Sequence, residues 1–302
     1  MPLAEQSTKP ATAPAAAKPA DRRKMVGRLG PWRLVRLMGE GALNRVYLAE
    51  HEDAPGAACY AIKTLKKEWW NDTGAIELQR REALVGRKVS HPNLLPVLAA
   101  HVAAPPFYVV TPRIVGQSLQ ALLQGGRPRL PQALWIARQA AEALAALHQQ
   151  TGMIHGDVKP SNVLVGPDGH ATLLDLGFCQ SANETRAWSA RPVMGTLSYI
   201  APERVTSACG ADARSDLYSL GVMLYEMIAG RLPLEADEPA RLIEMHRQAK
   251  PECIRSVRPD LPKPVASLVH RLLAKEALRR PDSAAAVARE LVRLEIACFS
   301  LT

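Results

Sequence analysis

The segment His155-Gly-Asp157-Val-Lys159-Pro-Ser-Asn162 gathers a carboxylate, an ammonium and an amide within a few residues. Asp157 could accept the proton of a hydroxyl, Lys159 could neutralise a phosphate, and Asn162 could offer an oxygen to a metal. Asp175-Leu-Gly177 follows 18 residues after Asp157, behind the run Ala171–Leu174. A carboxylate and an amide oxygen converging on one cation make the hard-ligand set that Mg2+ prefers. Turn-capping by Asp and Asn explains any one of these residues, but not the set at this spacing.

Two earlier segments fit the same chemistry. Gly39-Glu-Gly41-Ala-Leu-Asn44-Arg-Val46 lies between two predicted strands. A dinucleotide-binding turn needs a helix directly after its glycines, and here a strand follows. What remains is a Gly-rich hairpin whose backbone can approach a triphosphate, or an ordinary β-hairpin. Asn44 stands at the third position and is expected to tolerate a positive φ there. Ala61-Ile-Lys63 places a lysine on a strand, where it can bridge phosphate oxygens as a point charge. Glu82, in Arg80-Arg-Glu-Ala83 on the next helix, is its candidate partner.

The elements that must position these groups are legible in outline. Trp32–Met38, Arg45–Ala49, Cys59–Leu65 and Phe107–Thr111 read as strands, and 73–89 as a helix. After Leu119 helices take over: Pro131–Gln150, Leu217–Ala229, Pro264–Lys275 and Ser283–Cys298. Ile136, Ala140, Leu144 and Leu147 share one face of the first of these, and Gly152 suits its end. Strands first and helices later imply an α+β chain with a small sheet lobe and a larger helical lobe. Residues 1–24, dominated by Ala and Pro, read as a disordered tail.

Composition excludes several classes. The chain has 302 residues, 47% of them apolar and 22% charged, enough for a sizeable core. Its longest apolar run, Leu217–Ile228, is interrupted by Glu226 and is too short to span a bilayer. The first 30 residues show no apolar signal segment. Cys59, Cys179, Cys209, Cys253 and Cys298 are scattered and odd in number, which argues against a disulfide framework or zinc site and suits a reducing, cytoplasmic setting. The histidines, His148 and His170 among them, show no metal-ligand spacing. Of the +9 net charge, +3 falls in residues 1–24, and no basic stripe with interleaved aromatics marks a dedicated nucleic-acid site.

Taken in order, these motifs make the chain resemble a eukaryotic-type (Hanks-type) Ser/Thr protein kinase of the kind also found in bacteria. The resemblance runs from about Gly30 to Glu295 and adds His91-Pro-Asn93, Gly195-Thr196, Ala201-Pro-Glu203, Ser215-Asp216 and Arg280. It implies a bilobal kinase domain over 25–298, with a small antiparallel sheet lobe over about 25–112 carrying one main helix and a larger helical lobe over about 117–298. It implies ATP and Mg2+, with Mn2+ as an alternative, and protein substrates. Lys63 would contact the α- and β-phosphates and pair with Glu82; Asp157 would accept the substrate proton; Asn162 and Asp175 would hold the metal; Lys159 would neutralise the γ-phosphate. Lys159 and Thr196 point to serine or threonine as acceptor, Thr196 as part of the substrate platform. Met38, Val46 and Ala61 would roof the adenine and Leu164 would floor it, Gly39 and Gly41 of the hairpin would also bind ATP, Thr111 would be the gatekeeper, and Pro112 and Ile114 would lie in the hinge. Glu203 would pair with Arg280, and Asp216 would accept N–H groups of the catalytic loop.

Four positions depart from the family pattern. Gly156 replaces the arginine before Asp157, which normally reads an activation-loop phosphate; Thr185 and Ser189 remain modifiable. Leu176 replaces a phenylalanine, Asn44 a glycine, and Gly86 a larger apolar residue whose contact is expected to be left unfilled. Asn44, Gly156 and Gly86 motivate an alternative, a pseudokinase acting as a nucleotide-binding or scaffolding module. A small-molecule kinase is a third reading, opposed by Lys159, Ala201-Pro-Glu203, Asp216 and Arg280. Lys63 and Asp157 are expected to line an open cleft, so that their removal slows transfer and leaves folding intact. Glu226 and the acidic run Glu235–Glu238 could favour a basic residue near the acceptor, or be ordinary solvated charge.

Overall fold

The computed structural model describes residues 26–57, 59–181, 184, 197–205 and 212–299. The tail over 1–24 and Thr185, Ser189, Gly195, Thr196 and Cys209 lie outside the described residues.

Strands β1 (Gly27–Leu29), β2 (Trp32–Glu40), β3 (Asn44–His51), β4 (Tyr60–Leu65), β5 (Ala99–His101) and β6 (Tyr108–Pro112) form one sheet in the order β1-β2-β3-β4-β6-β5. Every neighbouring pair is antiparallel. Side chains alternate between faces along a strand, so the burial of Ile62 beside Trp32, Leu34, Ala49, Tyr108 and Val110 sends Ala61 and Lys63 to the opposite face. The register sets Val46 across from Lys63 and Thr111 across from Ala61, which puts the four on one surface.

The Gly-rich hairpin differs from expectation. Strand β2 extends through Gly39 to Glu40, and Asn44 is the first residue of β3, paired with Leu65. The turn closes through the Gly41 N–H donating to the Asn44 carbonyl at 2.8 Å. Among the described residues Asp175 is the non-glycine residue with positive φ, so the ladder and not left-handed backbone accommodates Asn44.

Helix α1 (Thr73–Lys88) starts where the Asp72 carboxylate accepts the Ala75 N–H at 2.7 Å. It buries Ala75, Gln79, Glu82, Ala83, Val85 and Gly86. Gly86 does not leave a hole. A Cβ there would lie 2.5 Å from Val97 Cγ2, and the Val97 N–H donates to the Gly86 carbonyl at 3.2 Å. The space that a larger residue would take from the helix is filled by Val97 from the segment before β5, in a small cluster with Ala83 and Val109.

The larger lobe begins with α2 (Leu119–Gln124) and α3 (Leu130–Thr151). The face of α3 carrying Ile136, Ala140, Leu144 and Leu147 is buried against the main core. Short strands β7 (Gln117–Ser118), β9 (Val163–Val165) and β10 (Ala171–Leu173) make a small sheet, and β8 (Met153–Ile154) pairs with β11 (Gln180–Ser181). Asn93 pins this lobe to the link from α1: its amide donates to Gln139 and to the Ala171 carbonyl, and its own carbonyl accepts from the Leu173 N–H. Helices α4 (Pro202–Val205), α5 (Ala213–Ala229), α6 (Pro239–Gln248), α7 (Ile254–Val257), α8 (Lys263–Leu272) and α9 (Ala284–Phe299) complete it. Helix α5 is buried along nearly its whole length and α3 and α8 pack on it, so it is the axis of the lobe. Among the described residues no helix is long and apolar enough to cross a membrane.

Gly86→Ala tests the packing against Val97. Overpacking costs about 1–3 kcal/mol, against about 0.5–1 kcal/mol gained by alanine in a helix, so denaturant unfolding is expected to show a net loss that Val97→Ala in the same chain relieves.

Candidate active site

Lys63 stands on β4, facing away from the sheet core towards α1. Its ammonium lies 2.8 Å from Glu82 of α1 and 2.8 Å from Asp175, which is 112 residues away in sequence. Lys63 and Glu82 side chains keep 19% and 7% of their exposure, so this is a largely buried cation between two carboxylates and not an open-cleft lysine. Burial disfavours its charge, but the two carboxylates outweigh burial and raise the lysine pKa. Asp175 feels the converse. Burial would raise its carboxyl, yet Lys63 and the nearby His155 and Gly177 N–H hold it below the usual carboxylate range. Asp175 has φ 64°, a costly conformation outside glycine. The residues after it are fixed by burial of Leu176, which fills the place of the family's phenylalanine as an apolar anchor.

Asp157 and Asn162 occupy the loop between β8 and β9. The Asn162 amide donates to the Asp157 carboxylate at 2.7 Å and to its carbonyl at 2.8 Å. With Nδ2 so engaged, Oδ1 is the atom Asn162 can offer a cation. Lys159 lies 2.8 Å from Asp157 Oδ2. Burial raises the Asp157 pKa above that of a free aspartate, while Lys159 pulls the other way. Among the described residues no three His, Cys, Asp or Glu side chains converge as a metal cage. A cation bound here would therefore have few protein ligands, which is the habit of Mg2+ at phosphate-transfer sites.

The loop backbone is held from below. Asp216, on α5 and 1% exposed, accepts the His155 N–H at 2.7 Å, the Gly156 N–H at 2.9 Å and His148 Nε2 at 2.8 Å. Burial would raise the Asp216 carboxyl, but these partners hold it low. Glu203 of α4 meets Arg280 in a two-pronged pair at 2.7 and 2.8 Å, and Ser215 donates to the same carboxylate.

Nucleotide-roof candidates are distributed over the sheet. Val46 and Ala61 share the Lys63 face, Thr111 and Pro112 end β6, and Ile114 follows it. Gly39 is open on its side-chain side, Gly41 sits in the hairpin turn, and Met38 is 39% exposed beside a register shift in β2. Leu164 lies apart from these, on β9 of the other lobe. Thr196 lies outside the described residues.

Several contacts near the site carried no sequence signal. Arg81, next to Glu82, donates to the Cys179 carbonyl at 2.9 Å and pairs with Glu184 at 2.6 Å, tying α1 to the segment after Asp175. His148, which shows no metal-ligand spacing, is a partner of Asp216. Glu226 lies on α5, where Tyr199 donates to it at 2.6 Å, so it is no freely solvated charge. Only fold-level adjacency could have found these pairs, since their members lie 27 to 103 residues apart.

The protein kinase domain model matches residues 32–292. The chain belongs to the protein kinase domain family. The kinase domain is similar to the serine/threonine-protein kinase pkn2 of Myxococcus xanthus, 34% identical over 90% of this chain and 33% of that protein. It is also similar to PrkC of Bacillus subtilis, 29% identical over 84% of this chain and 39% of that protein. PksC of Streptomyces coelicolor is 34% identical over 88% of this chain and 49% of its own length. The chain thus spans a third to a half of these curated relatives. The fold matches the crystal structure of the PknI kinase domain of Mycobacterium tuberculosis with a TM-score of 0.68, 23% identity and coverage of 89% of this chain and 98% of that one.

Breaking the ion pairs should be measurable as stability. Glu203→Gln leaves the buried Arg280 guanidinium without its counter-charge, a loss of about 3–5 kcal/mol in denaturant unfolding at neutral pH. Arg280 and Ser215 hold the folded Glu203 carboxyl below its ordinary range, against burial. Its contribution is therefore complete above the unfolded pKa and fades as pH falls through the folded one, and Glu203→Gln should flatten the acid arm of the stability profile. Lys63→Met, which strands two carboxylates, should cost about 1–3 kcal/mol and raise hydrogen exchange in α1.

Proposed function

We propose that this kinase domain transfers the γ-phosphoryl group of ATP to serine or threonine hydroxyls of protein substrates. The observation that carries the reading is the seating of Lys63 between Glu82 and Asp175, 2.8 Å from each, above a loop in which Lys159 and Asn162 flank Asp157. Phosphoryl transfer asks a protein chiefly for positioning and for charge aimed at the phosphates. Lys63, with its charge secured by two carboxylates, would hold the α- and β-phosphates. Asp157, with its pKa raised by burial, would accept the hydroxyl proton while Asn162 fixes the carboxylate's orientation. Lys159 would turn from Asp157 to the transferring phosphate. Asp175 and Asn162 supply a carboxylate and an amide oxygen, a donor set that fits Mg2+ or Mn2+; the bound cation would neutralise charge on the phosphates. Val46 and Ala61 on the sheet side and Leu164 on β9 would take the base, with Thr111, Pro112 and Ile114 at its edge.

Support for a protein acceptor comes from the bacterial relatives, which are named serine/threonine-protein kinases, and from the Glu203–Arg280 pair that anchors α4. A cytoplasmic setting and the lack of a nucleic-acid role belong to the same reading.

The test is transfer of labelled γ-phosphate from ATP to a basic acceptor protein in Mg2+, then in Mn2+. Wild-type transfer is expected, with Asp157→Asn reducing it by at least about 10²–10³-fold and leaving the melting temperature near wild type. No wild-type transfer, with an ATP-dependent thermal shift, would overturn the reading in favour of a nucleotide-binding module.

A further inference from the structure

Gly156 precedes Asp157 and has φ 78°, a conformation that side chains rarely adopt. A Cβ at that position would lie 2.9 Å from the Phe178 carbonyl and 2.9 Å from Arg204 Nη1. The space over the catalytic loop is thus occupied from elsewhere: Arg204 reaches in from α4, and its guanidinium donates to the Gly156 carbonyl. The two peptides that precede this carbonyl are held by Asp216, which accepts the Gly156 and His155 N–H groups at 2.9 and 2.7 Å. Arg204 is itself anchored, since its N–H donates to Ala201 and the preceding Glu203 is gripped by Arg280.

We propose that Arg204 is a positioning residue for Asp157: it clamps the Gly156 carbonyl against the pull of Asp216 and so fixes the backbone that presents the carboxylate. The inference rests on Asp157 being the proton acceptor. A guanidinium suits the task because its charge strengthens the bond to a neutral carbonyl; burial disfavours that charge, and the carboxylates of Asp216, Asp157 and Glu203 oppose the burial. A filler of equal volume would occupy the space but leave the carbonyl without this donor, so packing and clamping are separable.

The experiment compares wild type, Arg204→Met and Arg204→Lys, reading kcat, KM for ATP and hydrogen exchange of residues 153–158 against that of α5. Arg204→Met keeps the bulk and removes the donor. It is expected to lower kcat by about tenfold or more, as small misplacements of a reacting group do, with KM for ATP within about twofold. Exchange should rise in 153–158 and stay unchanged in α5, and Arg204→Lys should recover part of both. A folded Arg204→Met with wild-type kcat and wild-type exchange overturns the proposal. Should that variant not fold, Arg204→Gln, neutral and shorter, is read in its place with the same two outcomes. If the wild type transfers no phosphate, the kinase reading fails separately: raised exchange in Arg204→Met still sustains the clamp, and unchanged exchange overturns it.

Discussion

A buried ammonium needs counter-charges, and in this molecule the ammonium and its two carboxylates come from three different elements. Lys63 is fixed by the ladder of β4, Glu82 by the packed face of α1, and Asp175 by the strained turn after β10. Taking a cation out of water costs several kcal/mol, which is recovered only if both carboxylates are in place. The position of α1 against the sheet and that of the sheet lobe against the helical lobe are therefore coupled through one nitrogen atom. The arrangement that satisfies the charge is the one that places a cation and a carboxylate side by side, as the proposed phosphate contacts require.

The remainder of the site follows the same economy. Buried charges in the helical lobe are matched: Asp216 by His148 and two backbone N–H groups, Arg280 by Glu203. These pairs sit on or against α5, the most enclosed helix, where competing water is absent and geometry is held tightly. Asp157 is less enclosed than Asp216 and less fully matched, which suits the proton-accepting role proposed for it. Arg81, joined to Glu184 and the Cys179 carbonyl, extends the network from α1 to the segment after Asp175.

Small residues shape this molecule by admitting neighbours. Gly86 lets Val97 press against α1, and Gly156 lets Arg204 reach the catalytic loop. In both places the missing side chain is supplied from another segment, so a local departure from the family pattern does not mean a defective site. Interiors are packed densely, and a position left small by one segment is filled by the next.

The residue types, their order and the alternation from strand to helix are local properties. Hence Lys63, Glu82, Asp157, Lys159, Asn162 and Asp175, the long strands and the helix periodicity of α3 were readable along the chain. Three-residue strands such as β1 and β5 are too short to carry a period, and the backbone of Asn44 was set by its ladder partner Leu65 and not by its own preference. That Lys63 is enclosed, that Gly86 is filled, and that Arg204 and His148 serve the loop depended on segments far apart in sequence meeting across the core. By itself the sequence determined which groups are present and what chemistry they can share. Tertiary packing decided which of them are desolvated and what faces each one, because burial and electrostatic pairing belong to the assembled fold and not to any stretch of chain.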